Sequence, residues 1–241
     1  MSKRNISKLF FKDYFKEENG FNFNHVLVNN GRPDERTKNE ILRRNNDIKE
    51  VELKQIPALP IVNEALSFII AYPGLITGTG LVHDSKKIDR AYNLGMHFDY
   101  TWGMPIVYDS SVKGILRQYF KEFYDGVLNV DELIEDIFNG EKKSIYQRDI
   151  FFDAVITQSY NGHLLEDDSI TPHGANPLKN PIPITMLKIA PGCSIEFRFR
   201  LVDSQVKSGV FKIEEKRDLF EKILKAVGVG AKTNVGYGQF E

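Results

Sequence analysis

The chain closes on AVGVGAKTNVGYGQFE, Ala226–Glu241, where Gly228, Gly230, Gly236 and Gly238 surround Lys232, Thr233 and Asn234. Bare backbone beside an ammonium group suits a phosphate, which needs unshielded N–H donors and a positive charge. The two common nucleotide-binding patterns do not fit. Ala231 separates the glycine from Lys232, which breaks the register of a P-loop, and only eight residues follow Thr233, too few for the helix that such a loop must open. The dinucleotide fingerprint fails because Thr233 stands where its third glycine belongs.

A second stretch, DSSVKGILR, joins backbone and cations in the same way. Lys113 and Arg117 lie one turn apart near a helix start, whose dipole repels cations unless an anion joins them. Gly114, inside the same helix, costs about 1 kcal/mol against alanine, so a close approach to its backbone is expected. A phosphate meets both conditions, and the two stretches together predict a surface that follows an RNA backbone without reading its sequence.

Other chemistries find less support. His83-Asp84 and His97-x-Asp99 lack the i, i+4 spacing of a zinc enzyme and have no cysteine cluster to join, so neither a metal nor another cofactor is expected. There is no G-x-S-x-G elbow. Cys193, the sole cysteine, sits in APGCSIEF, a turn entering a strand, and Asp167 and Asp168 read as carboxylates solvating a turn. His173, in the loop TPHGANP, could serve as a general acid or base or as a hydrogen-bonding residue facing RNA, and the second reading is preferred. No catalytic residue is expected.

The net charge of −1 disfavours a free-standing nucleic-acid binder unless cations gather on one face and acids elsewhere. VDELIEDIFN, closed by Gly140, answers that condition as an acidic amphipathic helix near 130–140. Its stripe of Leu133, Ile134 and Ile137 is expected to face protein or solvent, not RNA. The pair Arg43 and Arg44 reads as a solvated arm that could also meet phosphate, and Arg198 and Arg200 as a solvated sheet face. One cysteine, no apolar run of membrane-spanning length and no leader-like N-terminus make a cytoplasmic protein the expectation.

The elements that must hold these groups can be read in outline. Phe10, Phe11, Tyr14 and Phe15 fall at helical spacing, and residues 29 to 50 form a solvated arm or helix. ALSFIIAYPGLITGTGL, DIFFDAVIT and ITMLKIA read as strands, and SIEFRFRLVD alternates with Ile195, Phe197, Phe199 and Leu201 on one face. A helix capped by Asp109 or Ser110 presents Val112, Leu116, Tyr119 and Phe123. A second, EEKRDLFEKILKAVG, presents Leu219, Ile223 and Val227, ends at Gly228, and leads to a last strand near Tyr237 to Phe240. Strands before and after each of two helices predict an α+β fold of the split βαβ, ferredoxin-like kind. Residues 1–66 are a helical or irregular N-terminal extension, and 67–241 the main domain with the acidic helix inserted.

In order along the chain, SSVKGILR, with Asp109 where a glycine is usual, and GVGAKTNVGYGQF resemble the hallmark motifs of the RAMP superfamily, the RRM-like subunits of CRISPR–Cas effector complexes. TPHGANP followed by NPIPITMLKIAPGCSIEFRFRL resembles, within it, the sixth-subunit family of the type III-B Cmr complexes. The resemblance runs from about Ser67 to the C-terminus. It implies a non-catalytic backbone subunit that binds CRISPR RNA near its 3′ portion, beside complementary target RNA and other Cmr-type subunits, in antiviral defence. Target cleavage in such complexes is attributed to an aspartate of another subunit, and Asp84 does not inherit that role. The RNA-binding residues expected are Ser110, Ser111, Lys113, Gly114, Arg117, His173, Gly230, Lys232, Thr233, Asn234 and Gly236. Two rivals stay open: a metal-independent endoribonuclease that processes CRISPR RNA, using His173 or a tyrosine, and a structural cap whose glycine loop packs only on protein.

Overall fold

The computed structural model describes residues 5–18, 21–23, 26, 33–83, 85, 88–140, 143–171 and 183–241. The helices are α1 (Ile6–Phe11), α2 (Glu35–Lys49), α3 (Asp109–Phe123), α4 (Val130–Ile134) and α5 (Ile213–Val227). The strands are β1 (Glu64–Ile69), β2 (Ile106–Val107), β3 (Ile150–Phe151), β4 (Ala154–Gln158), β5 (Leu165–Ile170), β6 (Ile184–Ile189), β7 (Ser194–Arg200), β8 (Ser204–Val206) and β9 (Gly209–Phe211).

The main sheet is antiparallel in the order β1-β7-β4-β2, with β3 pairing the far end of β7 in line with β4. DIFFDAVIT, expected as one strand, is broken at Phe152 and Asp153. The break has a use: Asp153 turns its carboxylate to the start of α3, where Oδ1 accepts the Asp109 N–H at 2.8 Å. Outside β1 lies the chain's last segment, reduced to a bridge between Phe240 and Ile70, with Ala71 and Glu241 donating to Gln239 and Ile69 at 2.9 Å each. The opposite edge strand, β2, has two residues.

Helices α3 and α5 cover one face of this sheet. Ile195, Phe197 and Phe199 of β7 are buried beneath them, as the alternation predicts. On α5, Leu219, Phe220, Ile223 and Leu224 turn inward, Glu215 accepts the Lys212 N–H at 2.8 Å, and Gly228 ends the helix at φ 68. On α3 the buried stripe is Val112, Leu116 and Phe120, while Tyr119 and Phe123 flank it half-buried. Phe120 and Tyr124, at the end of α3, meet Phe211 just before α5, at ring distances of 6.3 and 5.6 Å. The two helices therefore run antiparallel, and the start of α3 lies toward the end of α5.

The other face of β7 is not solvated. Arg198 donates to the carbonyls of Ile56 (2.9 Å) and Pro57 (3.1 Å), and Arg200 to those of Ile145, Tyr146 and Arg148. Gln55 reaches the Thr157 carbonyl at 2.7 Å, so the chain before β1 straps the sheet surface. The arginines are clamps, because guanidinium forks can hold several carbonyls at once.

Residues before β1 share the core. Ile6, Phe10, Tyr14, Ile41 and Ile48 are buried against the rest of the molecule. Arg44, 4% exposed, bonds Glu40 and the carbonyls of Asp13, Tyr14 and Lys16, so it has no room for a phosphate, and Arg43 is paired with Glu40 and Asp47. His83 lies among these aromatic rings with Nδ1 2.6 Å from the Tyr92 carbonyl and Nε2 3.0 Å from that of Phe10. Burial holds its pKa below the usual imidazole value, and two carbonyls occupy both ring nitrogens.

The acidic segment is helical, α4 passing into a π turn over Glu135–Asn139 and stopping at Gly140, φ 56. Its apolar stripe faces inward: Leu133 and Ile137 are buried, and Phe138 stacks on Phe151 at 5.6 Å. The stripe expected to offer a protein contact is consumed by the chain's own core. Asp167 and Asp168, on the β5–β6 hairpin, are also ties. Asp167 accepts the Tyr92 hydroxyl and Lys49, and Asp168 accepts Lys188 at 3.0 Å and the Tyr237 hydroxyl at 2.8 Å.

Candidate nucleic-acid interface

The glycine loop after α5 folds back on its own chain. Val229 donates to Gly238, Gly238 to Gly74 and Ala231 to Ile76, at 2.8–2.9 Å. A Cβ at Gly238 would overlap the Val229 carbonyl, one at Gly230 the Ile76 carbonyl, and one at Gly228 the Gly238 carbonyl. These three glycines are required by backbone-on-backbone packing, not by clearance for RNA. Gly236 differs: a Cβ there would meet only Pro73, at 3.6 Å, and its φ of 99 is what calls for glycine.

At the loop's outer bend Lys232 takes a left-handed conformation, φ 61 and ψ 34, and a short 3-10 turn, Thr233–Val235, follows. The N–H groups of Lys232, Thr233 and Asn234 make no hydrogen bond among the described residues, while those of Val235 and Gly236 close the turn onto Lys232 and Thr233. A left-handed residue followed by right-handed ones converges successive N–H groups into an anion-binding concavity. Lys232 and Asn234 are exposed, and Gln239 holds the turn from behind by donating to the Thr233 carbonyl at 3.2 Å. Lys232 makes no ion pair among the described residues.

The loop is tied to the start of α3 through intermediates. Ala231 donates to Ile76. The neighbouring Thr77 hydroxyl accepts the His97 N–H at 3.2 Å, and the His97 ring stacks on Tyr108, the cap residue of α3, at 4.0 Å. Thr77, His97 and Tyr108 were not singled out as a link in the sequence. Only the aromatic cap beside a glycine-poor turn could have hinted at it.

That helix start differs from expectation. Tyr108, not Asp109 or Ser110, is the cap residue. Asp153 takes the Asp109 N–H, Asp109 takes that of Ser110 at 2.6 Å, and the Ser111 N–H returns to the Tyr108 carbonyl. Burial raises the pKa of Asp153, and the carboxylates of Asp109 and Asp99 add to the rise. The anion awaited at this dipole is already present in the chain, so the backbone donors of Ser110 and Ser111 are not open to phosphate. Lys113 holds its ammonium over the Phe151 ring at 5.9 Å, level with Phe199 and thus toward the end of β7 away from the glycine loop. Arg117 is exposed, with no ion pair among the described residues. His173 and Asp84 lie outside the described residues.

Gly114 is exposed, and a Cβ there would find no neighbour within 4 Å. The close approach expected at this glycine does not come from the described chain. Gly114→Ala should therefore raise stability by about 0.5–1 kcal/mol in the isolated protein, read by urea unfolding. An unchanged or lowered stability would mean that the position is constrained from within.

The described residues contain no group of three or more His, Cys, Asp or Glu side chains placed to hold a metal, and no helix long and apolar enough to cross a membrane. Cys193 is buried, its thiol pKa raised by that burial, and Sγ lies 3.4 Å from the His163 carbonyl.

Similarity to known proteins adds to this geometry. A protein of Saccharolobus solfataricus described as CRISPR system CMR subunit Cmr6 is 29% identical over 210 residues, covering 84% of this chain and 68% of its own length. A chain in the cryo-EM structure of the type III-B Cmr-beta complex bound to cognate target RNA superposes with a TM-score of 0.55 at 23% identity. That likeness covers 86% of this chain and 64% of the other, so the present chain spans under two thirds of that neighbour and shares its fold. The model of the RAMP superfamily matches residues 69–241, and the chain belongs to that superfamily.

Proposed function

We propose that this protein is a non-catalytic backbone subunit of a type III-B RNA-guided effector complex, of the sixth-subunit kind, gripping CRISPR RNA through its phosphates. In this reading it works in the cytoplasm beside target RNA and other Cmr-type subunits, near the 3′ portion of the guide. The curated relative carries the sixth-subunit name. The sheet order from the Phe240 bridge through β1, β7 and β4, with α3 and α5 as the two crossovers, supports a ferredoxin-like domain. One observation carries the RNA reading: three successive unpaired N–H groups at Lys232–Asn234 beside an unpaired ammonium, on a loop held by its own backbone.

Phosphate contacts position a nucleic acid without specifying sequence. Lys232→Ala should weaken guide binding uniformly across sequences and reduce the salt slope by roughly 0.7, the value for one lost contact to a single strand. Filter binding over a salt series in the assembled complex reads both. An unchanged affinity and slope would defeat the proposal and favour a loop that serves packing alone.

A further inference from the structure

Beside the loop lies a hollow of about 460 Å³, walled by Thr79, Leu94, Ile170, Ile184, Ala231 and Lys232. Its walls come from three places: the bend after Gly78, the open end of the β5–β6 hairpin, where Ile170 faces Ile184, and the glycine loop itself. Four of the six walls are aliphatic, and Lys232 belongs both to the hollow and to the set of unpaired N–H groups. An oxyanion site and an apolar recess thus share one residue. A ligand that fits both must be anionic at one end and apolar a single residue's reach away.

We infer that the hollow receives one unstacked nucleobase of the guide, the nucleotide whose phosphate sits on the Lys232–Asn234 N–H groups. This rests on the phosphate-gripping reading above and adds the base to it. Single-stranded RNA offers this combination, because its bases can be splayed out and taken up by apolar side chains while the backbone stays on cations. The Ala231 N–H already belongs to Ile76, which leaves the Thr79 hydroxyl and the Lys232 head group as the polar side-chain atoms of the walls. The base is therefore held by its faces, and its identity is weakly selected.

Ala231→Phe fills the recess from its wall and leaves Lys232 and the three N–H groups in place. In the assembled complex, 2-aminopurine moved along the guide should brighten at one position in the wild type, the sign of an unstacked base. Ala231→Phe should abolish that signal and lower guide affinity about tenfold, the scale of one lost base contact. An abasic guide at that position should bind wild type and Ala231→Phe equally. Ile184→Asn, which changes polarity with little change of bulk, should give the same loss, and it answers for any misfolding of the phenylalanine variant. If both variants keep the signal and the affinity while Lys232→Ala still lowers the salt slope, the hollow takes no base and the phosphate reading stands. If Lys232→Ala also changes nothing, both fall. Loss of a neighbouring protein from the complex, with RNA binding intact, would overturn the inference in favour of a protein contact.

Discussion

Lys216→Ala should lower the free energy of unfolding by about 3–5 kcal/mol, the range found when one partner of a buried ion pair is removed. Lys216 is 0% exposed and points from α5 into the core, where Nζ donates to Asp149 Oδ2 and to the Val202 carbonyl, both at 2.6 Å. Asp149 Oδ1 in turn accepts the Val202 N–H at 2.9 Å, so the pair joins α5, the turn before β3 and the chain leaving β7. Burial pushes the Asp149 pKa up and the Lys216 pKa down, while each charge opposes the shift of the other. With the ammonium gone, Asp149 keeps its desolvation and loses its partner. For a chain of this size the loss should appear as a fall in Tm of roughly 6–20 °C. Lys216→Met with Asp149→Leu should recover most of it, because replacing both charges by apolar groups of similar volume is often neutral. If the single variant unfolds within about 1 kcal/mol of wild type, water reaches the pair and the reading of the site as dry is wrong.

Gly238→Ala is expected to do the second-largest damage, about 2–5 kcal/mol, adding the left-handed strain of a non-glycine residue to the overlap of Cβ with the Val229 carbonyl. The overlap involves backbone, which cannot rotate away. The β-turn-like return of the loop onto Gly74 and Val229 would open, and the Lys232–Asn234 donors would lose their support, so guide binding should fall with no change of charge. Gly162→Ala is the control: φ is 80 there, but a Cβ would meet nothing within 4 Å, and only the strain of about 1–2 kcal/mol should remain. Equal stability losses in the two variants, measured by urea unfolding, would show that conformation and not contact decides.

Local order was legible where periodicity is strong. The alternation in β7, the helix α5 and its Gly228 stop all follow from patterns within one stretch of chain. Long-range pairing was not. Arg198 looks like a surface residue until the strap at Ile56 and Pro57, 141 positions or more away, is laid over it. Asp153 looks like an ordinary strand residue, and only the break between β3 and β4 shows it as the group that satisfies the start of α3. In the candidate site the motif residues of the loop were named correctly as neighbours, since they are contiguous. Their glycines were given one reason where the structure gives two, because close approach of Gly230 to Ile76 depends on a strand 150 residues earlier in the fold, a distance over which composition says nothing. The α4 stripe erred similarly: an amphipathic face shows that something is covered, not what covers it.

The two margins of the main sheet are both clipped, β2 at two residues on one side and the Phe240 bridge on the other. Long open margins invite other chains to add strands, and short ones give them little to hold. A protein whose working neighbours share its fold faces that hazard in its sharpest form, since every neighbour brings a matching strand. Trimmed margins leave loops and helix ends as the places where such chains can meet, so stacking in a filament would be selected without the sheets merging into an aggregate.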